Sequence, residues 1–285
     1  VNNGQLILKD KIIILTGAGG GIGRVISRRL TEKGATIVLI DLDKAALEAT
    51  YSEISQHSPK SKYFLCDLSI RSQVEAVSSD IISGFHHIDV IINNAGIQKP
   101  IGPFYDNDLD LWVHNIEVNL LGAVYLTRYL LPVMIAKRKG KIINLSGGGA
   151  TSPRPNFSAY AVAKTAIVKF TEELAVELRE LNIEVNAISP GAINTRMLDE
   201  VIAAGSLAGK ELESSLMRKA KGGNDPELAA ELICFLASDL SDGISGKLIS
   251  APWDDWQNAA FISELKNDSD LATIRRIDNK YFRKI

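Results

Sequence analysis

Tyr160 and Lys164 stand four residues apart in the stretch Asn144–Lys164, N-L-S-G-G-G-A-T-S-P-R-P-N-F-S-A-Y-A-V-A-K. On a helix that spacing turns both side chains to one face. An ammonium beside a phenol favours the phenolate and lowers a pKa that lies near ~10 in water. Such a phenol can exchange a proton with an alcohol or carbonyl oxygen near neutral pH. A tyrosine and a lysine on an ordinary surface helix have the same spacing, so the pair gains meaning only from its company. Three serines share the stretch, Ser146, Ser152 and Ser158. Ser146 directly ends the strand-like run K-I-I-N-L, where a hydroxyl can reach a cleft. The other two lie closer to the tyrosine.

A second group of residues could hold a dinucleotide. Thr16 is followed by G-A-G-G-G-I-G, so Gly17, Gly20, Gly21, Ile22 and Gly23 join a strand-like run to a helix-like one. Glycines let the backbone turn tightly and approach a phosphate, and the free N–H groups at the start of the helix suit a pyrophosphate. A glycine run alone marks only a tight turn; the strand before it and the helix after it are the context that supports binding. Asp41 ends the next strand, where a carboxylate can accept hydrogen bonds from ribose hydroxyls and repel a 2′-phosphate. Leu42 after it supplies no cation, so NAD is expected rather than NADP. Arg24, at the start of the helix, could serve the pyrophosphate instead. Asn119 sits in an apolar helical stretch, L-W-V-H-N-I-E-V-N-L-L-G-A-V-Y-L, and must find partners if buried. His114 on the same stretch reads as structural or interfacial.

The elements that must position these residues alternate along the chain. Strands are expected at Lys11–Thr16, Thr36–Asp41, Tyr63–Cys66, Asp89–Asn93, Lys141–Leu145 and Ile183–Ile188. Helices are expected at Ile22–Lys33, from about Lys44, from about Ser72, at Leu109–Ala136 and at Ser158–Glu180. Buried strands alternating with helices imply an α/β fold, a Rossmann-type doubly wound parallel sheet with helices on both faces. No repeat or low-complexity linker interrupts residues 1–256, which read as a single dinucleotide-binding and catalytic domain; residues 257–285 read as a C-terminal extension without a clear strand. Thr195–Asn224 is helical in composition but broken by Gly205, Gly209, Gly222 and Gly223, which suits a mobile segment near a site.

The bulk numbers leave this reading open and close others. The 285 residues carry a net charge of −2, which argues against nucleic acid and anionic membranes as partners. No apolar run reads as long enough to cross a bilayer, and the N-terminus has no signal-peptide pattern. Cys66 and Cys234 are far apart and in no metal-ligand spacing; they read as reduced thiols of a cytoplasmic protein, with no metal site.

These motifs together resemble the short-chain dehydrogenase/reductase family over about residues 8–250. T-G-A-G-G-G-I-G at 16–23 is similar to the family's T-G-x-x-x-G-x-G. Cys66-Asp67-Leu68 resembles its third-strand end, where Asp67 contacts the adenine and Leu68 adjoins it. Asn93-Asn94-Ala95-Gly96 resembles its N-N-A-G, with Asn93, Ala95 and Gly96 at the cofactor. Tyr160–Lys164 matches Y-x-x-x-K, and Pro190, Gly191, Ile193 and Thr195 match P-G-x-x-x-T beside the nicotinamide. The resemblance implies an NAD(H)-dependent oxidoreductase that interconverts a secondary alcohol and a ketone. Asn119, Ser146, Tyr160 and Lys164 would be its catalytic residues; Lys164 would also bind the nicotinamide ribose, and Asn119 would hold a proton-relaying water. The family usually carries its serine thirteen residues before the tyrosine, and here that position is Gly147. A loop one residue longer would keep Ser146 in the catalytic place. Gly147 also leaves room for an alternative, a nucleotide-binding regulator or scaffold with reduced catalysis.

The substrate, an alcohol or carbonyl compound, is the least specified part. G-K-L-I-S-A-P-W-D-D-W is similar to bacterial sugar and cell-surface glycan oxidoreductases and implies a sugar or polyol derivative. Arg154 and the cations of a candidate lid, Met197–Lys221, namely Lys210, Arg218, Lys219 and Lys221, could meet an acidic substrate, although charged lid helices are usually solvated. Apolar residues on more than one face of the two long helices, and the resemblance, point to a homo-oligomer, a tetramer or a dimer. Two tryptophans and Phe261 suggest that the extension packs on something, such as a neighbouring subunit.

Overall fold

The structure, a computed structural model, describes residues 6–277. Its strands are β1 (Ile12–Thr16), β2 (Thr36–Asp41), β3 (Lys62–Leu65), β4 (Val90–Asn93), β5 (Gly140–Leu145), β6 (Ile183–Ser189) and β7 (Leu248–Ser250). Its helices are α1 (Gly21–Glu32), α2 (Lys44–Ile54), α3 (Arg71–Gly84), α4 (Leu109–Ile116), α5 (Gly122–Lys137) and α6 (Ser158–Glu177). The chain continues with α7 (Arg196–Ala203), α8 (Glu211–Lys221), α9 (Pro226–Ala237) and α10 (Ala259–Asn267).

All strands pair in parallel, in the order β3-β2-β1-β4-β5-β6-β7. The order reverses between β1 and β4, which opens a crevice at their carboxyl ends. Alternate strand residues feed opposite faces, as the two-residue period requires. Ile13, Leu15, Ile37, Leu39, Val90 and Ile92 pack with α1 and α9 on one side. Ile14, Val38, Ile40, Ile91 and Ile142 pack with α3 and α5 on the other. This doubly wound sheet is the expected fold.

The stretch expected as one helix, Leu109–Ala136, is α4 and α5 joined by a π-helical turn, Glu117–Leu121. The turn admits one extra residue per loop of backbone, and such turns recur at functional sites. By length and composition alone the helical stretch 109–137 could cross a bilayer, its most apolar 18 residues having a mean hydropathy of 1.5. In the fold, Leu126, Leu130 and Met134 bury into the second core and α5 lies against α3 and β5.

The tail closes the first core. Trp256 is buried, donates its indole N–H to the Ala251 carbonyl at 3.1 Å and tilts against Phe235. Leu265 of α10 joins the same core, with Phe261 and Ile262 packed on it. These residues therefore pack on their own chain; Trp253 remains exposed. Farther on, Ala272 accepts the Leu248 N–H at 2.7 Å, so the tail covers part of the free edge of β7. The Ile274 N–H and the Arg275 guanidinium both bond Glu172 of α6. Residues 278–285 of the expected extension lie outside the described residues.

Candidate active site

A cleft of about 310 Å³ opens where the strand order reverses. It is lined by Gly17, Gly20, Gly21 and Ile22, by Asp41, Asp67 and Leu68, by Ala95 and Gly96, and by Thr195. The glycine loop is shaped by close backbone approaches. A Cβ on Gly23 would sit 1.9 Å from the Gly17 carbonyl oxygen, and one on Gly17 would sit 2.8 Å from the Ala95 Cα. The start of α1 carries no side-chain cap, so no side chain competes for its first N–H groups, of which that of Gly23 bonds the Gly20 carbonyl at 3.0 Å. The Thr16 hydroxyl ties the two strand ends together by accepting the N–H groups of Asn94 and Ala95, both at 3.0 Å. Asn94 lines the cleft, donates to the Thr16 and Gly17 carbonyls, and keeps a buried side-chain oxygen without a partner. Side-chain-free backbone, an uncapped helix start and an orphaned acceptor fit a phosphate-bearing dinucleotide.

At the far end, the Asp41 carboxylate accepts the Gly19 N–H at 2.7 Å and the Asp43 N–H at 3.0 Å. Those bonds fix the carboxylate at the wall of the cleft, beside the exposed Leu42. Asp67 accepts from both the N–H and the hydroxyl of Ser69. Arg24, the cation considered for the pyrophosphate, instead pairs with Glu53 of α2 at 2.6 Å.

Tyr160 and Lys164 lie on α6 and are both buried. The Lys164 ammonium donates to the Leu145 carbonyl at 2.9 Å and stands 5.6 Å from the Tyr160 ring centre. Burial pushes its pKa down to about 8. Asn119, in the π turn, accepts the Ile97 N–H at 3.1 Å and donates to the Ile97 carbonyl at 2.8 Å and to Asn115 at 2.7 Å. Gly96 lies between the two: a Cβ there would meet Asn119 Oδ1 at 2.5 Å and Lys164 Nζ at 3.4 Å. A bare backbone at Gly96 thus brings Asn119, Lys164 and the cleft together.

Two expectations change at this point. The first is that the ammonium lowers the Tyr160 pKa. In this arrangement burial raises it above the ordinary phenol value; the opposing charge is Arg154, and Glu211 adds to the rise. The second concerns Ser146, whose buried hydroxyl donates to the Lys164 carbonyl at 3.3 Å, inside the protein. Successive residues at a strand end point to opposite sides, and the direction toward the tyrosine belongs to Gly147. A Cβ there would fall 2.3 Å from Tyr160 Oη.

The glycine-broken segment forms α7, a short 3₁₀ turn (Gly205–Ala208) and α8, and it meets the loop before Tyr160. Glu211 takes two hydrogen bonds from Arg154, one of them at 2.8 Å. The lid cation Lys219 is paired within the lid, to Asp199 at 2.6 Å.

Several expected cofactor residues stand behind the cleft rather than on its wall. Gly23 packs against the glycine loop. Asn93 is buried and donates to Thr127 and Asn144. Ile193 packs on the first core. Pro190 and Gly191 begin the loop whose Ala192 N–H is held by Asn224 at 2.8 Å. His114, read as structural or interfacial, does line the cleft, as do Val118, Arg196 and Met197. Asn94 stood within the quoted N-N-A-G motif, and Val118 is the neighbour of Asn119; the lid residues carried no sequence signal beyond following Thr195.

The family model for short chain dehydrogenases matches residues 11–205. Among curated proteins, the 3-oxoacyl-[acyl-carrier-protein] reductase FabG of Thermotoga maritima is 32% identical over 243 residues, covering 85% of this chain and 96% of its own. Among solved structures, NAD+-bound xylitol dehydrogenase superimposes with a TM-score of 0.78 at 26% identity, covering 87% of this chain and 98% of that one. A short-chain dehydrogenase of Shigella flexneri complexed with NADP gives 0.75 at 25% identity, covering 87% and 99%.

Proposed function

As the chain belongs to the short-chain dehydrogenase/reductase family of oxidoreductases, we propose that it uses NAD(H) to interconvert a secondary alcohol and a ketone, with a sugar or polyol derivative as substrate. One observation carries the reading: Tyr160 and Lys164 are buried together, with Asn119, where the glycine-loop cleft ends at Gly96. The bound nicotinamide supplies or accepts the hydride. The chain's own part is proton exchange and positioning. Tyr160 gives its proton to the substrate oxygen in reduction and takes it in oxidation. Its raised pKa keeps the phenol protonated at neutral pH, which serves reduction, whereas oxidation needs the phenolate and is favoured as pH rises. Lys164 and Asn119 would line the route by which that proton returns, and Lys164 would also hold the nicotinamide ribose. Ser146 acts on this set from behind, through the carbonyl of Lys164.

The preference for NAD rests on Asp41, held at the cleft wall beside Leu42, which adds no cation. The sugar or polyol assignment rests on the tail segment and on the likeness to a xylitol dehydrogenase. Residues 1–256 act as one catalytic domain with residues 257–285 as an extension, whose described part, 257–277, packs on it. Assembly into a dimer or tetramer is supported by exposed apolar side chains on α4 and α6, among them Leu109, Val113, Val162 and Val176. The alternative, a nucleotide-binding regulator with weak turnover, draws on Gly147, which removes a substrate-facing hydroxyl. A screen of sugars, polyols, alcohols and ketones, followed by NADH absorbance with Tyr160→Phe as control, decides between them. Turnover absent across the screen, with NADH binding intact, would favour the regulator.

A further inference from the structure

We infer that Arg154 is a positioning residue for Tyr160: its guanidinium supplies the standing positive field at the phenol, and Glu211 of the lid sets how much of that field the phenol feels. The inference rests on the reading of Tyr160 as the acid/base. Arg154 precedes Tyr160 by six residues in the loop from β5. Its guanidinium stacks on Phe157 at 3.9 Å and lies 5.2 Å from the Tyr160 ring centre, nearer than Lys164 at 5.6 Å. The side chain is only 15% exposed, so water screens it weakly.

It is also held firmly. Glu211 takes two of its hydrogen bonds. The Gln98 side-chain oxygen, in the amide orientation that its neighbours require, accepts two more at 2.5 and 2.8 Å, while the Gln98 nitrogen donates to the Met197 carbonyl. Gly147 places no side chain beside the phenol oxygen. Lys164 is a different kind of charge. It is buried, turned to a carbonyl, and able to lose its proton near pH 8, whereas a guanidinium stays charged throughout the working range.

The other charged groups around Tyr160 can be named. Glu211, on α8, opposes Arg154. His114 on α4, which packs along α6, pairs with Glu117 of the π turn at 3.4 Å. Glu211 belongs to a segment bounded by positive-φ glycines, Gly205 and Gly209 before it and Gly222 after it. Movement of that segment would carry the anion away and leave the cation by the phenol. The lid thereby couples its own position to the proton affinity of Tyr160.

The test is a phenolate absorbance titration of the full-length protein, with the curve of Tyr160→Phe subtracted; it needs no substrate. Glu211→Gln is expected to lower the Tyr160 midpoint by about one pH unit, and Arg154→Gln to raise it by as much. Arg154→Lys, which keeps the charge, should recover most of the shift. Midpoints unmoved in Glu211→Gln and in a folded Arg154→Gln would overturn the inference and leave the pair as a mechanical latch. If Arg154→Gln does not fold, Glu211→Gln alone decides. Should the substrate screen find no turnover while the midpoints still shift, the functional reading fails and the electrostatic one stands.

Discussion

Placing a serine at Gly147, the position where the family usually has one, is expected to damage this enzyme. A Cβ at Gly147 would lie 2.3 Å from Tyr160 Oη, 3.2 Å from Cζ and 3.4 Å from Cε1. Ordinary contact begins near 3.4 Å, so the hydroxyl must retreat by the difference, 3.4 − 2.3 = 1.1 Å. The ring has little freedom to do so, being 8% exposed and flanked by Arg154 and Lys164. A displacement of about 1 Å at a reacting group costs on the order of 10²-fold in rate. Forcing extra atoms into a packed site costs about 1–3 kcal/mol in stability. Gly147→Ala tests the Cβ alone, and Gly147→Ser adds the hydroxyl. Rates are to be read by NADH absorbance on a substrate from the screen, stability by thermal melting, and cofactor affinity by NADH fluorescence. Affinity should hold, because Gly147 is not on the wall of the cleft. A Gly147→Ser protein as active and as stable as the parent would refute the reasoning, since the tyrosine would then have room that the geometry denies it.

Tyr160→Phe should abolish turnover while leaving NADH binding within a few-fold, as titration would establish. Ser146→Ala should cost less than about 10-fold, because its hydroxyl bonds a carbonyl rather than acting as a donor at the reacting oxygen, whose loss costs roughly 10²–10³-fold; a loss of that larger size would return it to the substrate. NADH should bind more tightly than NADPH, and Asp41→Ala should narrow the gap; equal binding in the parent would sink the role of Asp41. Lys164, with its folded pKa depressed to about 8 from 10.5, binds fewer protons folded than unfolded between those values. Its contribution to stability is therefore absent below pH 8 and grows as pH rises, reaching about 3 kcal/mol when the whole shift is traversed. Against Lys164→Met, the parent should gain in melting temperature from pH 8 to 10, and a parallel trend would contradict the assignment. Ending the chain after Asn258 removes Leu265 from the core and both bonds to Glu172. That loss, about 3 kcal/mol, should lower the melting temperature by roughly 5–10 °C, and light scattering on the same sample would report any effect on assembly.

Much of the fold was legible because most of its strands are buried on both faces and bracketed by turn residues. β2 matches its expected range, Thr36–Asp41, residue for residue; Gly34 precedes it and Asp43 caps the next helix. The π turn was not legible, since E-V-N-L-L has an ordinary helical composition. β7 is three residues long, too short for a periodic signal. The glycine turn between β1 and α1 and the acid that ends β2 were legible, and both line the cleft. What failed was direction. Ser146 and Gly147 are neighbours, and only the backbone's alternation decides which one faces Tyr160. The charge nearest the phenol was equally hidden. Arg154 comes from a loop with no periodicity, and its partner Glu211 lies 57 residues away.

The involvement of Trp256 and Leu265 in the first core bears on how the chain is made. Leu8, Ile13, Leu15 and Leu30 belong to the same cluster, so segments made early pack against segments made much later. A ribosome releases the N-terminal β1 and α1 early, at about 5–20 residues per second. Their apolar face then stays open until α9, Trp256 and α10 have emerged. The second core, built from β1 to β6 with α3, α5 and α6, needs nothing beyond residue 185. One side of the sheet can therefore close once residue 185 has emerged and the other only after residue 265, and a holding chaperone would find its exposed surface on the α1 side.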